Sequence, residues 1–213
     1  MAGYAEGRED GALDVVQRLD PEQSKAAILE AARTLFAQRG FSAVSVRDVA
    51  EAAGVTHGLV HHHFGSKNDL AIEVVRRETL TAGQGMMLAA TADDWKTVGL
   101  PRAIRYYLTE GRTSVLLIMR AEIDGLMPES MLAEDEPRSL GVLAATIGQM
   151  QAEGDARERT DPAIVAAYIG AAVFTFATMA PWLLSAVGLK PEEYEARLDE
   201  IVELSSRLIR VSG

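Results

Sequence analysis

Apolar side chains recur along this chain at spacings of three and four, the period of a helix with one buried face, and no run of strict alternation marks a strand. Ile28, Ala32, Leu35 and Phe36 form the first such stripe. Asp20-Pro21-Glu22-Gln23 ahead of it reads as a helix start, with Asp20 as N-cap, proline at the first helical position and Gln23 placed for a capping box. Gly40 supplies the stop, so this helix is expected to run to about Arg39. Ser45 caps a second, short helix with Val46, Val49, Ala50 and Ala53 on one face, ended by the turn at Gly54. Thr56 caps a third almost at once, and Gly65-Ser66 breaks the chain before a fourth helix carrying Leu70, Val74 and Val75, expected over about 66–82.

From Trp95 onward the pattern stays helical, with apolar stretches around Ile104–Leu108 and Val115–Ile123 and breaks at Gly111 and Gly125. Met127–Pro137 is acidic and carries two prolines, as a surface connection would. A further helix is expected over Arg138–Glu153, another from Asp161-Pro162, and a last one from Pro191. The expected fold is all-α: a tail over 1–19, a small three-helix domain over 20–65, a connecting helix over 66–82 and a larger helical bundle over 83–213.

Composition narrows the function. A hydrophobic fraction of 48% with 24% charged residues describes a soluble globular chain, and the lack of cysteine removes disulfides, thiol nucleophiles and cysteine-ligated zinc, in keeping with a cytoplasmic protein. The first twenty residues mix acids and bases without an apolar run, unlike a secretory or transit peptide. The net charge of −10 is unevenly spread: 2 basic and 4 acidic side chains over 1–19, 7 and 8 over 20–80, and 12 and 19 over 81–213. The near-neutral 20–80 segment also holds all four histidines, so a basic face on DNA is compatible with an acidic whole.

The stretch Ser45–Leu70, SVRDVAEAAGVTHGLVHHHFGSKNDL, meets the physical needs of a helix-turn-helix: Ala50 is small where two helices approach, Gly54 permits the turn, and Val49, Val55 and Val60 share an interior. With Gly54-Val55-Thr56, Phe64 and Gly65-Ser66-Lys67, it resembles the DNA-binding signature of the TetR family of bacterial regulators. Ala31-Ala32 through Phe36 and Gly40-Phe41 are similar to that family's first helix, and the likeness spans residues 24–75. Ile147-Gly148-Gln149 through Gly154, with Asp161-Pro162, resembles the middle of its regulatory domain. The chain departs from the pattern at His61, where a tyrosine is usual, and at Leu59, where a threonine is common.

The resemblance implies a homodimeric transcriptional regulator, a repressor by the family's commoner habit, with operator DNA and a small-molecule effector as partners and no cofactor or catalytic role. Ser45, Thr56, His61 and Lys67 are the expected phosphate contacts, and Arg47, whose guanidinium suits a guanine edge, is the expected base reader. His57, Leu59 and His62 are expected in the groove, with Gly58 letting the backbone approach closely.

Two rival readings weigh less. His57, His61, His62 and His63 attract a metalloprotein reading, yet three successive helical residues point about 100° apart and do not converge on one ion. Ala163–Leu189 holds no charged residue and is long enough to cross a bilayer of about 30 Å, yet Pro181, hydroxyl residues and abundant Ala and Gly fit a buried helix better, so no membrane partner is expected. That helix, with Ala167, Gly170 and Ala171, and the last one, with Leu198, Ile201, Val202, Leu204, Ser205 and Leu208, are expected to pair two subunits. Met86, Met87, Trp95, Tyr106, Tyr107, Met119, Phe174, Met179 and Trp182 are expected to line an effector pocket for an apolar or aromatic compound. The domain's net acidity tilts that choice toward neutral or cationic ligands.

Overall fold

A computed structural model describes residues 20–91, 94–126, 136, 138–154 and 160–207, and every regular element in them is helical. The expected tail over 1–19, most of the connection over 127–137, and Leu208 lie outside the described residues.

Helix α1 (Pro21–Arg39) starts as its sequence dictates. The Asp20 carboxylate accepts from the Gln23 backbone N–H at 2.8 Å, the Gln23 side chain accepts from the Asp20 N–H at 3.1 Å, and Gly40 ends the helix at φ 83°. Helices α2 (Val46–Ala52) and α3 (His57–Phe64) meet through Gly54 at φ 66°, a left-handed conformation that a side chain would strain. Helix α4 runs from Lys67 to Ala90, eight residues beyond the end expected near 82. Its glycines do not stop it because Ala82, Gly83 and Met86 are buried, and packing along that face outweighs a helix-propensity cost of about 1 kcal/mol per glycine.

A π-helical turn at Trp95–Gly99 leads into α5 (Leu100–Leu108). Gly99 sits where a Cβ would lie 2.8 Å from the Ala89 carbonyl oxygen, so only glycine lets this turn close against α4. Then follow α6 (Arg112–Ile123), α7 (Ser139–Ala152), α8 (Pro162–Ala186) and α9 (Leu198–Arg207). The expected start of the last helix at Pro191 is two short 3-10 turns instead. They carry Tyr194 inward, where its hydroxyl donates to the Leu108 carbonyl at 3.0 Å and closes the end of α5.

Two cores form. One gathers Ile28, Phe36, Val49, Val60, Leu70 and Val74 from α1 to α4; the other gathers residues of α4, α5, α7, α8 and α9. Leu117 and Ala121 of α6, both fully buried, belong to the first core. The small domain is therefore not closed by its own helices: α6 reaches back from the C-terminal part to seal it. Helix α4 belongs to both cores, through Leu70 and Val74 at one end and Ala82 and Met86 at the other. Stabilisation of each unit thus depends on residues of the other, at about 1.5–3 kcal/mol for each large apolar side chain buried.

Candidate nucleic-acid interface and effector cleft

Helix α3 has one buried residue, Val60, which anchors it on the first core. His57, Gly58, His61 and His62 are exposed around the rest of its surface, and Leu59 is half-buried. Thr56 is committed first to the helix it starts, its hydroxyl accepting from the Leu59 N–H at 3.3 Å. Ser45 likewise caps α2, accepting from the Asp48 N–H at 3.1 Å while donating its hydroxyl hydrogen to the Asp48 carboxylate at 2.5 Å. Hydrogen bonds from the Ser45 hydroxyl and backbone hold the Asp48 carboxyl below its usual range, helped by the charges of Arg39 and Arg47. Arg47 is exposed two residues beyond that cap. Arg39, at the end of α1, is an exposed cation on this side that periodicity alone did not single out.

Two expected contacts carry structural duties. Lys67 donates its ammonium to the Phe41 carbonyl at 3.0 Å and the Ser42 carbonyl at 3.3 Å, tying the start of α4 to the turn before α2. The His61 ring holds the Gly65 carbonyl through Nδ1 at 2.5 Å. A carbonyl only accepts, so Nδ1 carries the hydrogen and Nε2 becomes a donor only when the ring takes a second proton. His57 packs edge-on against His61 with ring centres 4.5 Å apart, and His63 turns partly inward with Nε2 buried and no hydrogen-bond partner among the described residues. Among the described residues, no three His, Asp or Glu side chains gather closely enough to hold a metal ion.

Between the C-terminal half of α4 and α5 opens a cleft of about 510 Å³. Three of the residues expected in an effector pocket, Met86, Tyr106 and Tyr107, line this cleft. Its other walls, which the hydrophobic pattern did not reveal, are Thr81, Gln84, Gly85, Leu88 and Ala89 of α4, with Gly99, Arg102 and Ala103 opposite. The signal in the sequence is the helical spacing of Thr81, Gln84 and Leu88, two polar side chains and one apolar on one face. The Tyr107 hydroxyl donates to the Ala82 carbonyl at 2.9 Å, and burial pushes its pKa up to about 12 against a hydrogen bond with Ser139.

The remaining expected pocket residues lie elsewhere. Trp95 is buried beside Gly99, with its indole N–H unpartnered among the described residues, and Met119 and Phe174 pack on the second core. Met87, one position round the helix from buried Met86, is 47% exposed. Met179 and Trp182 are exposed on the outer face of α8, because its inner face is set by Val173, Ala177, Ala180 and Leu184.

The sequence profile described as bacterial regulatory proteins, tetR family, matches residues 28–74, which span most of α1, all of α2 and α3, and the first turns of α4. An HTH-type transcriptional repressor of Mycobacterium tuberculosis is 33% identical over 168 residues, 79% of each chain. The chain belongs to the TetR family. The HTH-type transcriptional repressor KstR2 of Rhodococcus jostii is 46% identical over 52 residues, 24% of this chain and 26% of its own. A TetR-family regulator of Marinobacter aquaeolei shares the fold, with a TM-score of 0.68 at 17% identity over 90% of this chain and 97% of that one.

TetR-family regulators bind operator DNA and dimerise, and this protein is a DNA-binding transcriptional regulator rather than an enzyme. Helix α8, the one helix among the described residues long and apolar enough to cross a bilayer, divides its apolar surface in two. One side enters the second core; the other exposes Ile164, Tyr168, Met179 and Trp182, a helical stripe joined by Leu204 of α9. Gly170 is not on that stripe. It is buried against α7, where a Cβ would lie 2.6 Å from Leu140, and Leu198, Val202 and Ser205 of α9 are likewise buried within their own chain.

Proposed function

We propose that this TetR-family protein is a repressor in the cytoplasm that grips operator DNA as a dimer and is released when a small molecule enters the α4–α5 cleft. The observation that carries the DNA half is α3 itself, which buries one residue and leaves His57, Gly58, His61 and His62 free to face a groove. In this reading Arg47 reads a base edge, Thr56 and Lys67 hold phosphates while keeping the helix starts in place, and Ser45 joins them by turning its hydroxyl hydrogen from Asp48 to the phosphate. His61 adds a phosphate contact through Nε2 in its protonated form, His57, Leu59 and His62 lie in the groove, and Gly58 allows close approach. The stripe from Ile164 to Trp182 on α8, with Leu204 of α9, pairs the two subunits.

The release half is supported by α4, which forms one wall of the cleft at its C-terminal end and belongs to the small domain's core at the other. A ligand wedged between α4 and α5 acts on a lever that both domains hold. The domain division we propose is accordingly 20–65 for DNA, α4 as connector, and the remaining helices for sensing and dimerisation, with α6 lent to the first unit.

Linkage sets the test. A 100-fold loss of operator affinity requires the ligand to bind free protein about 2.7 kcal/mol more tightly than DNA-bound protein, and operator must weaken the ligand by the same factor. Calorimetric titration of a compound found by thermal shift, with and without operator, is expected to show this reciprocity. Equal ligand affinity in both titrations overturns the release mechanism.

A further inference from the structure

The α4–α5 cleft has a charge of its own that the acidity of its domain conceals. Among the described residues its walls include Arg102 and no acidic side chain. Arg102 is exposed and has no carboxylate partner among the described residues, whereas Arg105, one turn on, pairs with Asp199 of α9. Tyr106 lies four residues beyond Arg102 on the same face of α5, half-exposed, and Gln84 supplies an exposed amide on the opposite wall. Apart from the Thr81 hydroxyl, the remaining surface is mainly apolar, from Met86, Leu88, Ala89 and Ala103.

A cation at the edge of an apolar cleft selects its occupant. The apolar walls hold the body of an occupant, and the guanidinium fork at their edge matches a carboxylate or phosphate through two parallel hydrogen bonds. A neutral compound leaves that fork with water alone, and a cation is repelled. The acidic side chains elsewhere in the domain act through solvent and are largely screened beyond about 10 Å. Gly85 adds a second observation: it lines the cleft, and a Cβ there would meet no atom within 4 Å, so this wall faces open space of ligand size.

We propose that the effector is an amphipathic anion, with an apolar body lying along α4 between Met86, Leu88 and Ala103 and an acidic head, carboxylate or phosphate, paired with Arg102. The Tyr106 hydroxyl and Gln84 amide supply further donors. This rests on the reading of the cleft as the effector site, and it reverses the preference for neutral or cationic ligands that bulk charge implied.

The test uses the full-length dimer and four probes of one chain length, all below their micellar concentrations: decanoate, decyl phosphate, decanol and decyltrimethylammonium. Binding is read by calorimetry, and operator release by fluorescence anisotropy of labelled DNA. The two anions are expected to bind at least about tenfold more tightly than decanol, with the cation weakest. Arg102→Gln should bring the anions down to the decanol level and leave decanol itself unchanged. Gly85→Leu, which sets a side chain into the cleft from a wall where an added Cβ meets no atom within 4 Å, should weaken all probes. The ratio of decyl phosphate to decanoate affinity decides which acidic head the site prefers. Decanol binding as tightly as decanoate, an anion preference that survives Arg102→Gln, or no binding by any probe overturns the proposal. Arg102-dependent binding that leaves operator affinity untouched upholds the anion site and removes the effector role instead.

Discussion

The Glu78 carboxylate of α4 accepts from the Arg33 Nε of α1 at 2.7 Å and, at its other oxygen, from the Ser114 hydroxyl of α6. One half-buried ion pair thus joins the DNA-binding unit, the connecting helix and the helix that reaches back to seal the first core. Arg120 of α6 adds a second tie, donating to the Phe36 and Ala37 carbonyls near the end of α1 at 2.9 and 2.7 Å. Glu78→Ala is expected to destabilise the protein by about 2 kcal/mol, because it leaves the Arg33 guanidinium without its buried partner. A double-mutant cycle with Arg33→Ala by urea denaturation measures the pair itself, and additive losses would show that the two residues are not coupled.

Arg47→Ala and Lys67→Ala are expected to differ in kind. The first should relax preference at one base pair by roughly 1–3 kcal/mol with little change in stability, since Arg47 caps and packs nothing. The second should weaken all sequences alike and reduce the salt slope by about 1, and it should also cost about 1 kcal/mol of stability, because the ammonium holds the Phe41 and Ser42 carbonyls. Titrations on matched and mismatched sites at several salt concentrations check this, and equal losses on every site for both variants would defeat the assignment.

Alkaline pH is expected to act through Tyr107. Its pKa is raised from 10.0 to about 12 by burial, so between those values the folded chain keeps a proton that the unfolded chain has lost. Stability therefore falls as pH rises through this window, by about 3 kcal/mol from this residue. Tyr107→Phe should be less stable at neutral pH by about 1 kcal/mol, having lost the bond to Ala82, yet show a shallower decline above pH 10. Parallel declines in both proteins would assign the alkaline transition to other groups.

Tyr168 and Trp182 are 68% and 63% exposed on the outer stripe of α8, a large apolar cost for a lone subunit. Replacing either with Glu should weaken dimerisation by about 30-fold or more while leaving helix content unchanged. Sedimentation at micromolar concentration checks this. An intact dimer in both variants would place the subunit interface elsewhere.

Much of the architecture is legible in local chemistry. Asp20, Ser45, Thr56 and Ser66 each cap the helix that their position announces, and Gly40, Gly54 and Gly65 each mark a break. What periodicity missed depends on partners distant in sequence. Met86 and Met87 are chemically alike, but only the packing of α4 decides that one is buried and the other exposed. The continuation of α4 through Gly83 and Gly85 was likewise decided by tertiary contacts over propensity. Trp182 read as a pocket residue because large apolar side chains suit both cavities and interfaces, and nothing in its neighbours distinguishes the two. Nothing in the local sequence sets Arg102 or Glu78 apart from other charged residues, because their surroundings are supplied by other helices.

Selection of bound fragments from a random DNA pool tests the central claim most directly, that a symmetric dimer presents two copies of α3 to operator DNA. The expected product is an inverted repeat whose half-sites lie about 34–36 Å apart along the duplex, with a base preference in each half-site that Arg47→Ala relaxes. Recovery of sequences without inverted symmetry, or of no enriched sequence at all, would contradict it.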